Sequence, residues 1–169
     1  MPKNKTLNFS VEVQQNVEQF LYKQADILDE RNWEAWLELF TNDGKYWMPA
    51  HPEQETGEGL PNIFYEDRYL MDMRIRRVEH PYAHSQKAGH RTSHVVSNVM
   101  IESEDKKNGN LVCSSRFHMI EYRLEKQRYF GGKYTHSLER IDNSYRIKLQ
   151  RVDIANVEGP FDYVMQVWL

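Results

Sequence analysis

Two apolar stripes near the N-terminus constrain the fold most, because each stripe must be buried against another part of the chain. In the first stripe apolar side chains recur every three or four positions, which predicts a helix over 13–28. Asn32 then follows a polar break and has the side chain of an N-cap, so a second, shorter helix is predicted after it. The stripe of that second helix contains Trp33, Trp36, Leu37 and Phe40.

The remainder of the chain is dominated by strand patterns that supply a surface for these helices. A turn at 42–44 precedes a strand over 45–48, and a third short helix is predicted over 67–78. Alternating apolar residues and tight turns then predict further strands over 94–102, 111–125, 128–141 and 144–157, followed by a last strand or a buried tail over 161–169. We therefore predict one α+β domain over 1–169, with N-terminal helices packed on a strongly curved antiparallel sheet that forms a cone.

Composition excludes several classes of partner. The chain has 22 Lys and Arg residues against 25 Asp and Glu, a net charge of −3, which does not favour nucleic acid or an anionic membrane. No apolar run approaches the roughly 20 residues of a spanning helix, and the N-terminus lacks the apolar segment of a signal peptide. We therefore expect a cytoplasmic protein with neither nucleic acid nor membrane as a partner.

Histidines and the single cysteine are the first candidates for metal chemistry. His80, His84, His90 and His94 lie within one short stretch, and two histidines with a carboxylate suit non-haem iron. The stretch reads as a loop that enters a strand, and strand positions four apart are separated by about 13 Å. We therefore predict polar loop histidines and no metal site, and we interpret Cys113, which lies in an alternating strand, as a buried core residue.

An acid/base pocket in the cone is a second possibility. Tyr22, Asp26, Tyr46 and His94 are its candidate residues, and a buried Asp–His pair would be an effective general base. Such a pocket would make the protein a free-standing dehydratase or isomerase, or a module that binds a small ligand without chemistry. The simpler interpretation is that an aspartate at the edge of an amphipathic helix faces water.

Several segments resemble one known family. The segments, which are spread over most of the chain, are 20–22, 25–29, 36–40, 46–49, 65–68, 91–94, 97–99 and 129–131, together with Asp43, Arg74 and Arg77. With these segments in this order, the chain is similar to the small (β) subunit of Rieske-type aromatic-ring-hydroxylating dioxygenases, most of all to its benzoate and anthranilate branch. This similarity implies a cystatin-like (NTF2-like) cone, which agrees with the fold predicted from the residue pattern.

The resemblance also implies how function is divided between subunits. It implies an α3β3 hexamer whose large (α) subunit holds the Rieske [2Fe–2S] cluster, the mononuclear Fe(II) and the substrate, with electrons from NADH supplied through a reductase. The present chain would then bind no cofactor, carry no catalytic residue and act as a structural subunit. Composition gives independent support, because a Rieske centre needs two cysteines and two histidines and this chain has one cysteine.

A structural subunit needs surfaces that contact the large subunit and other copies of itself. Large aromatic side chains and arginines anchor such interfaces most often, although the same residue types are also common on ordinary surfaces. The candidate interface residues are Tyr65, Arg68, Tyr69, Arg74, Arg77, Tyr82 and Trp168.

Overall fold

The structure is a computed structural model that describes residues 9–80, 82, 90–161, 165, 168 and 169. The described residues form three helices and six strands. In chain order these elements are α1 (Val11–Asp29), α2 (Trp33–Glu38), β1 (Phe40–Pro49), β2 (Asn62–Asp67), α3 (Arg68–Glu79), β3 (Arg91–Glu104), β4 (Leu111–Arg123), β5 (Lys126–Ile141) and β6 (Ser144–Ile154). This order agrees with the predicted helices, including the short third one, and with most of the predicted strands. It differs in three places: β2 was not predicted, Phe40 lies in β1 rather than in the second helix, and the predicted turn at 42–44 falls inside β1.

Each helix begins at a side chain that accepts a hydrogen bond from the first turn. Ser10 caps α1 by accepting from the amide of Val13, and Asp67 caps α3. The carboxamide oxygen of Asn32 accepts from the amide of Ala35 at 3.2 Å, which confirms the predicted N-cap of α2. Within the described parts of the chain, no helix combines the length and apolarity needed to cross a membrane.

The six strands form one curved sheet in the order β2-β1-β6-β5-β4-β3. Four neighbouring pairs are antiparallel as predicted, but β1 runs parallel to β6, with Lys45 opposite Leu149 and Trp47 opposite Arg151. The fully antiparallel sheet expected from the sequence is therefore wrong at this one pair. A parallel pair requires a long crossover connection, and here the connection is the whole segment between β1 and β6.

The helices cover the inner face of the sheet and close the cone at one end. α1 lies against β3 and β6, whereas α3 lies beside β1 and β2. At the end below α2, the indole of Trp36 stacks on that of Trp168 with ring centroids 4.2 Å apart. Leu169 is also completely buried. Met165, Trp168 and Leu169, the buried residues of the C-terminal segment that the structure describes, lie outside any strand.

Candidate functional site: the cone interior and the assembly surface

The last residue of α1 joins that helix to the first strand of the long meander. The carboxylate of Asp29 accepts hydrogen bonds from the His94 amide at 2.8 Å, from His94 Nδ1 at 2.6 Å and from the Thr92 hydroxyl at 2.8 Å. Burial by itself would raise the pKa of Asp29, but the hydrogen bonds from His94 outweigh it and hold this pKa below the ordinary 3.8. Asp29 is therefore a carboxylate at neutral pH.

The carboxylate of Asp29 requires a hydrogen on the nitrogen of His94 that faces it. An ionised carboxylate only accepts, so Nδ1 of His94 carries a hydrogen and donates it. The other ring nitrogen, Nε2, is buried and has no hydrogen-bond partner among the described residues. His94 lines a small cavity between α1 and the sheet, together with the aliphatic side chains of Leu21 and Leu28 and the ring of Tyr134.

The four residues predicted to share an acid/base pocket do not come together. Tyr22 and Asp26 are exposed on α1. Tyr46 is fully buried, and its hydroxyl donates to the backbone oxygen of Leu169 at 3.2 Å and accepts from the Leu169 amide at 3.1 Å. Burial raises the pKa of this phenol strongly. Of the four, His94 alone lines the cavity, and its acidic partner is Asp29 rather than Asp26.

Other polar side chains of the interior were not anticipated. Gln24 of α1 donates to the carboxamide oxygen of Gln150 on β6 at 2.6 Å, and both side chains line the cavity. His136 of β5 is completely buried, and this burial lowers its pKa to about 3, so its imidazole is neutral. Burial also raises the pKa of Tyr134, whose ring stacks on Phe117 at 4.1 Å.

A helical spacing signal for two of these residues was present in the sequence. Leu21, Ala25 and Asp29 are separated by four positions each and so lie in one row on α1, whereas Asp26 lies about 100° further round the helix. Gln24 likewise occupies an apolar-stripe position, three residues after Leu21. Polar residues at core-facing positions were therefore the detectable signal of a polar interior.

The histidines of the predicted loop have separate partners. His80 is exposed, whereas the buried His90 makes a 2.7 Å contact with Glu121 and His94 contacts Asp29. His84 lies outside the described residues. Those described contain no group of three or more His, Cys, Asp or Glu side chains placed to hold a metal ion. Cys113 is fully buried as predicted, and burial raises its pKa to about 12.

Three of the predicted interface residues serve the fold of the chain itself. Arg68 donates to the carbonyl oxygens of Leu37 and Phe40, both at 2.8 Å, and so ties α3 to the end of α2. Arg74 forms an ion pair with the buried Glu66. Trp168 is 1% exposed, and its indole nitrogen donates to the same carboxylate at 3.0 Å. The prediction that Trp168 is a surface anchor is wrong, because its ring fills the core below α2.

The remaining candidates lie at or near the surface. Tyr69 is 69% exposed and Tyr82 is 77% exposed, and Arg77 is also exposed. Tyr65 is half-buried, and its hydroxyl accepts from Lys45 Nζ at 3.0 Å. Two further apolar residues beside Tyr69 are exposed on α3. We call the α3 surface the set of exposed residues Tyr69, Leu70, Met73 and Arg77.

Comparison with known proteins identifies the family. The family model described as "Ring hydroxylating beta subunit" matches residues 23–157, which is most of the chain. The chain belongs to this family. It is 30% identical over 152 residues to the anthranilate 1,2-dioxygenase small subunit of Acinetobacter baylyi, which covers 87% of this chain and 92% of that protein. It is also 30% identical over 159 residues to the toluate 1,2-dioxygenase subunit beta of Pseudomonas putida, covering 89% and 92%.

Solved structures agree with the fold of this beta subunit. The crystal structure of the benzoate 1,2-dioxygenase beta subunit from Burkholderia mallei superimposes with a TM-score of 0.72 at 21% identity and covers 94% of this chain and 99% of that one. The predicted α+β, NTF2-like cone is thereby confirmed, as is the resemblance noted in the sequence. As a ring-hydroxylating beta subunit, the protein is part of an oxidoreductase complex.

Proposed function

We propose that this chain is the non-catalytic, structural subunit of a dioxygenase that adds both atoms of O₂ to the ring of an aromatic acid. The observation that carries the proposal is the family match over residues 23–157. The names of the two relatives, anthranilate 1,2-dioxygenase and toluate 1,2-dioxygenase, support the substrate class, because anthranilate and toluate are both aromatic carboxylates. The enzyme would serve the breakdown of aromatic compounds.

The iron chemistry would belong to a large subunit. A Rieske [2Fe–2S] cluster takes two cysteine and two histidine ligands, and the 169 residues of this chain include one cysteine. That residue, Cys113, is buried in β4 with a raised pKa, which disfavours the thiolate that a metal requires. These residues do not fit the cluster. We therefore assign the cluster, the mononuclear Fe(II) and the entry of electrons from NADH through a reductase to the partner chains.

The beta subunit would contribute mechanical support. We propose an α3β3 hexamer in which this chain contacts the large subunit and other copies of itself. The α3 surface supports an interface on this side of the cone, because it places an exposed tyrosine, two apolar side chains and Arg77 on one helix. Obligate assemblies bury upwards of about 2,000 Å² and rely on such aromatic and arginine anchors. Tyr82 follows the same helix and extends this candidate region.

The function is tested by preparing the chain alone, the large subunit alone and both together. The isolated chain is expected to hold no iron and to show no benzoate-dependent O₂ uptake with NADH and reductase. Co-expression is expected to give activity and, by native mass spectrometry, three copies of each chain. Turnover or tightly bound iron in the isolated chain, or failure to bind the large subunit, would refute the structural role.

The interface is tested by substitutions on the α3 surface. Replacing Tyr69 and Met73 by serine removes exposed apolar contact area and leaves the core untouched, so assembly is expected to weaken while the melting temperature of the isolated chain stays the same. The exposed Lys106, in the turn after β3, provides a matched surface control as Lys106→Ser. If the double variant assembles as tightly as the control, the α3 surface is not part of the interface.

A further inference from the structure

We propose that the cavity beside His94 is a binding site for one water molecule, which forms a hydrogen bond with His94 Nε2. The water would connect the Asp29–His94 pair to the polar side chains of the sheet interior. The site lies in the cone and involves none of the α3 surface, so the proposal is independent of the subunit's role in assembly.

The first observation is a buried polar atom without a partner. The His94 side chain is 1% exposed, and its Nε2 has no hydrogen bond within the described part of the chain. Nδ1 of the same ring is already bonded to Asp29, so it cannot serve Nε2. A buried polar atom is normally hydrogen-bonded to protein or to an ordered water. A water that enters the cavity would supply this partner.

The second observation is the size of the cavity. It has room for about 10 Å³ of water-centre positions, and one buried water needs roughly 10–15 Å³ measured in this way. The site therefore fits a single water and excludes a larger ligand. The aliphatic side chains of Leu21 and Leu28 form part of its wall, which leaves little space for any group larger than a hydroxyl.

The third observation is the chemistry of the lining. A buried water normally makes two to four hydrogen bonds. Besides His94, the cavity is lined by Tyr134, Gln24 and Gln150. Gln24 uses one amide hydrogen to bond Gln150 and keeps a second. The phenol of Tyr134 both donates and accepts, and burial holds it in its neutral form. These four side chains are the polar part of a lining that is otherwise aliphatic.

The arrangement is an aspartate–imidazole–water chain. Nδ1 of His94 donates to Asp29, and Nε2 is left for the water. Because water both donates and accepts, it can bond to Nε2 whether or not that atom carries a hydrogen. No bond is made or broken in this proposal. The water is a buried structural component that gives Nε2 a hydrogen-bond partner.

The proposal is tested first on the full, unmodified chain. In a crystal structure at high resolution, a density peak is expected in the cavity at about 2.7–3.2 Å from His94 Nε2. In solution, NMR of the chain with ¹⁵N-labelled histidine is expected to show a cross-peak between His94 and a long-lived water. A dry cavity, or the absence of this cross-peak, would overturn the proposal.

A filling variant provides the matched comparison. Ala25 also lines the cavity, so Ala25→Val places two methyl groups where the water would lie and is expected to abolish the density peak and the cross-peak. Ala35→Val on α2 carries the same change in helix propensity away from the cavity and is expected to retain both signals. A peak that persists in Ala25→Val would show that the water does not occupy this site. Should that variant not fold, the measurements on the unmodified chain decide the question.

Discussion

Buried polar groups are hydrogen-bonded to different extents at the two ends of the cone interior. Below α2, Glu66 receives both Arg74 and the indole nitrogen of Trp168, and the hydroxyl of Tyr46 is paired with the backbone of Leu169. We call this the closed end. Between α1 and the strands β3 to β6, His94 Nε2 is buried and has no hydrogen-bond partner among the described residues. We call this the polar end.

The difference separates mechanical from chemical roles within one curved sheet. The closed end is held by stacked rings, a buried ion pair and the C-terminal tail; Trp36 Nε1 is an exception, because it has no hydrogen-bond partner among the residues that the structure describes. The polar end has the charged carboxylate of Asp29, the neutral imidazole of His136 and the small cavity beside His94. We therefore expect the closed end to determine most of the stability, and the polar end to respond to pH and to small probes.

The largest effect is expected from Trp36→Ala at the closed end. The indole is completely buried and stacks on Trp168 and against Phe40, and removal of such a side chain costs about 3–5 kcal/mol. Equilibrium unfolding in urea should show this loss, whereas Val11→Ala, at an exposed position of α1, should change stability by about 0.5 kcal/mol or less. A loss below about 1 kcal/mol for Trp36→Ala would show that the rings do not hold this end together.

The second-largest effect distinguishes two arginines, both of which were predicted from the sequence to lie in a subunit interface. Arg74 neutralises the buried Glu66 and lies over the ring of Phe64 at 4.4 Å, so Arg74→Ala leaves an unpaired buried carboxylate and should destabilise the chain by about 3 kcal/mol. Arg77 is exposed on the same helix, and Arg77→Ala should leave the unfolding midpoint within about 0.5 kcal/mol. If urea unfolding shows that the two variants lose equal free energies of unfolding, the assignment of Arg74 to the core is contradicted.

Local sequence patterns predicted most of the helices and strands. The features that they did not predict depend on pairing between residues far apart in the sequence. The spacing of apolar residues predicted a helix over 13–28, and α1 spans Val11–Asp29. Asn32 was recognisable as a cap because its role depends on neighbours in sequence. The parallel pairing of β1 with β6 was not, because strand direction depends on the path of the intervening chain.

The same contrast explains the outcome for the site residues. Trp168 has no periodic neighbours that indicate which way its ring points, and its stacking partner Trp36 lies at the other end of the chain. The choice of Asp26 over Asp29 was an error of a different kind, since the row formed by Leu21, Ala25 and Asp29 was visible in the sequence. The partners of Asp29 on β3 were not visible, because they depend on how α1 docks on the sheet.

At the polar end, Asp29→Ala should lower stability by about 2 kcal/mol at pH 7, because a charged group loses its hydrogen bonds. Its lowered folded pKa means that Asp29 stabilises the fold fully above the ordinary value of 3.8, and that this stabilisation disappears as the pH falls below it. The difference between the variant and the unmodified chain should therefore shrink in acid. Asp26→Ala, at an exposed position of the same helix, is the control and should leave the stability almost unchanged. A constant difference for Asp29→Ala down to pH 2 would contradict the charged state assigned to Asp29.

The smallest effect is expected at Cys113, which reports whether the polar end opens. This thiol lies opposite His136 in the pairing of β4 with β5 and is fully buried. Since burial raises its pKa to about 12, the buried thiol is almost entirely protonated at pH 8, and it becomes reactive only when the chain opens and exposes it. An aromatic disulfide reagent should therefore modify the native chain negligibly over the time in which it fully modifies the urea-unfolded chain.

Variants at the polar end make this labelling a local measurement. Asp29→Ala removes the hydrogen bonds that connect α1 to β3, so it should accelerate modification of Cys113. Asp26→Ala should leave the rate of modification unchanged. If Arg74→Ala accelerates labelling only in proportion to its loss of global stability and Asp29→Ala does so by more, the polar end opens separately from the closed end. If both variants follow global stability alone, the two ends unfold as one unit, and the distinction between them concerns hydrogen bonding and not local stability.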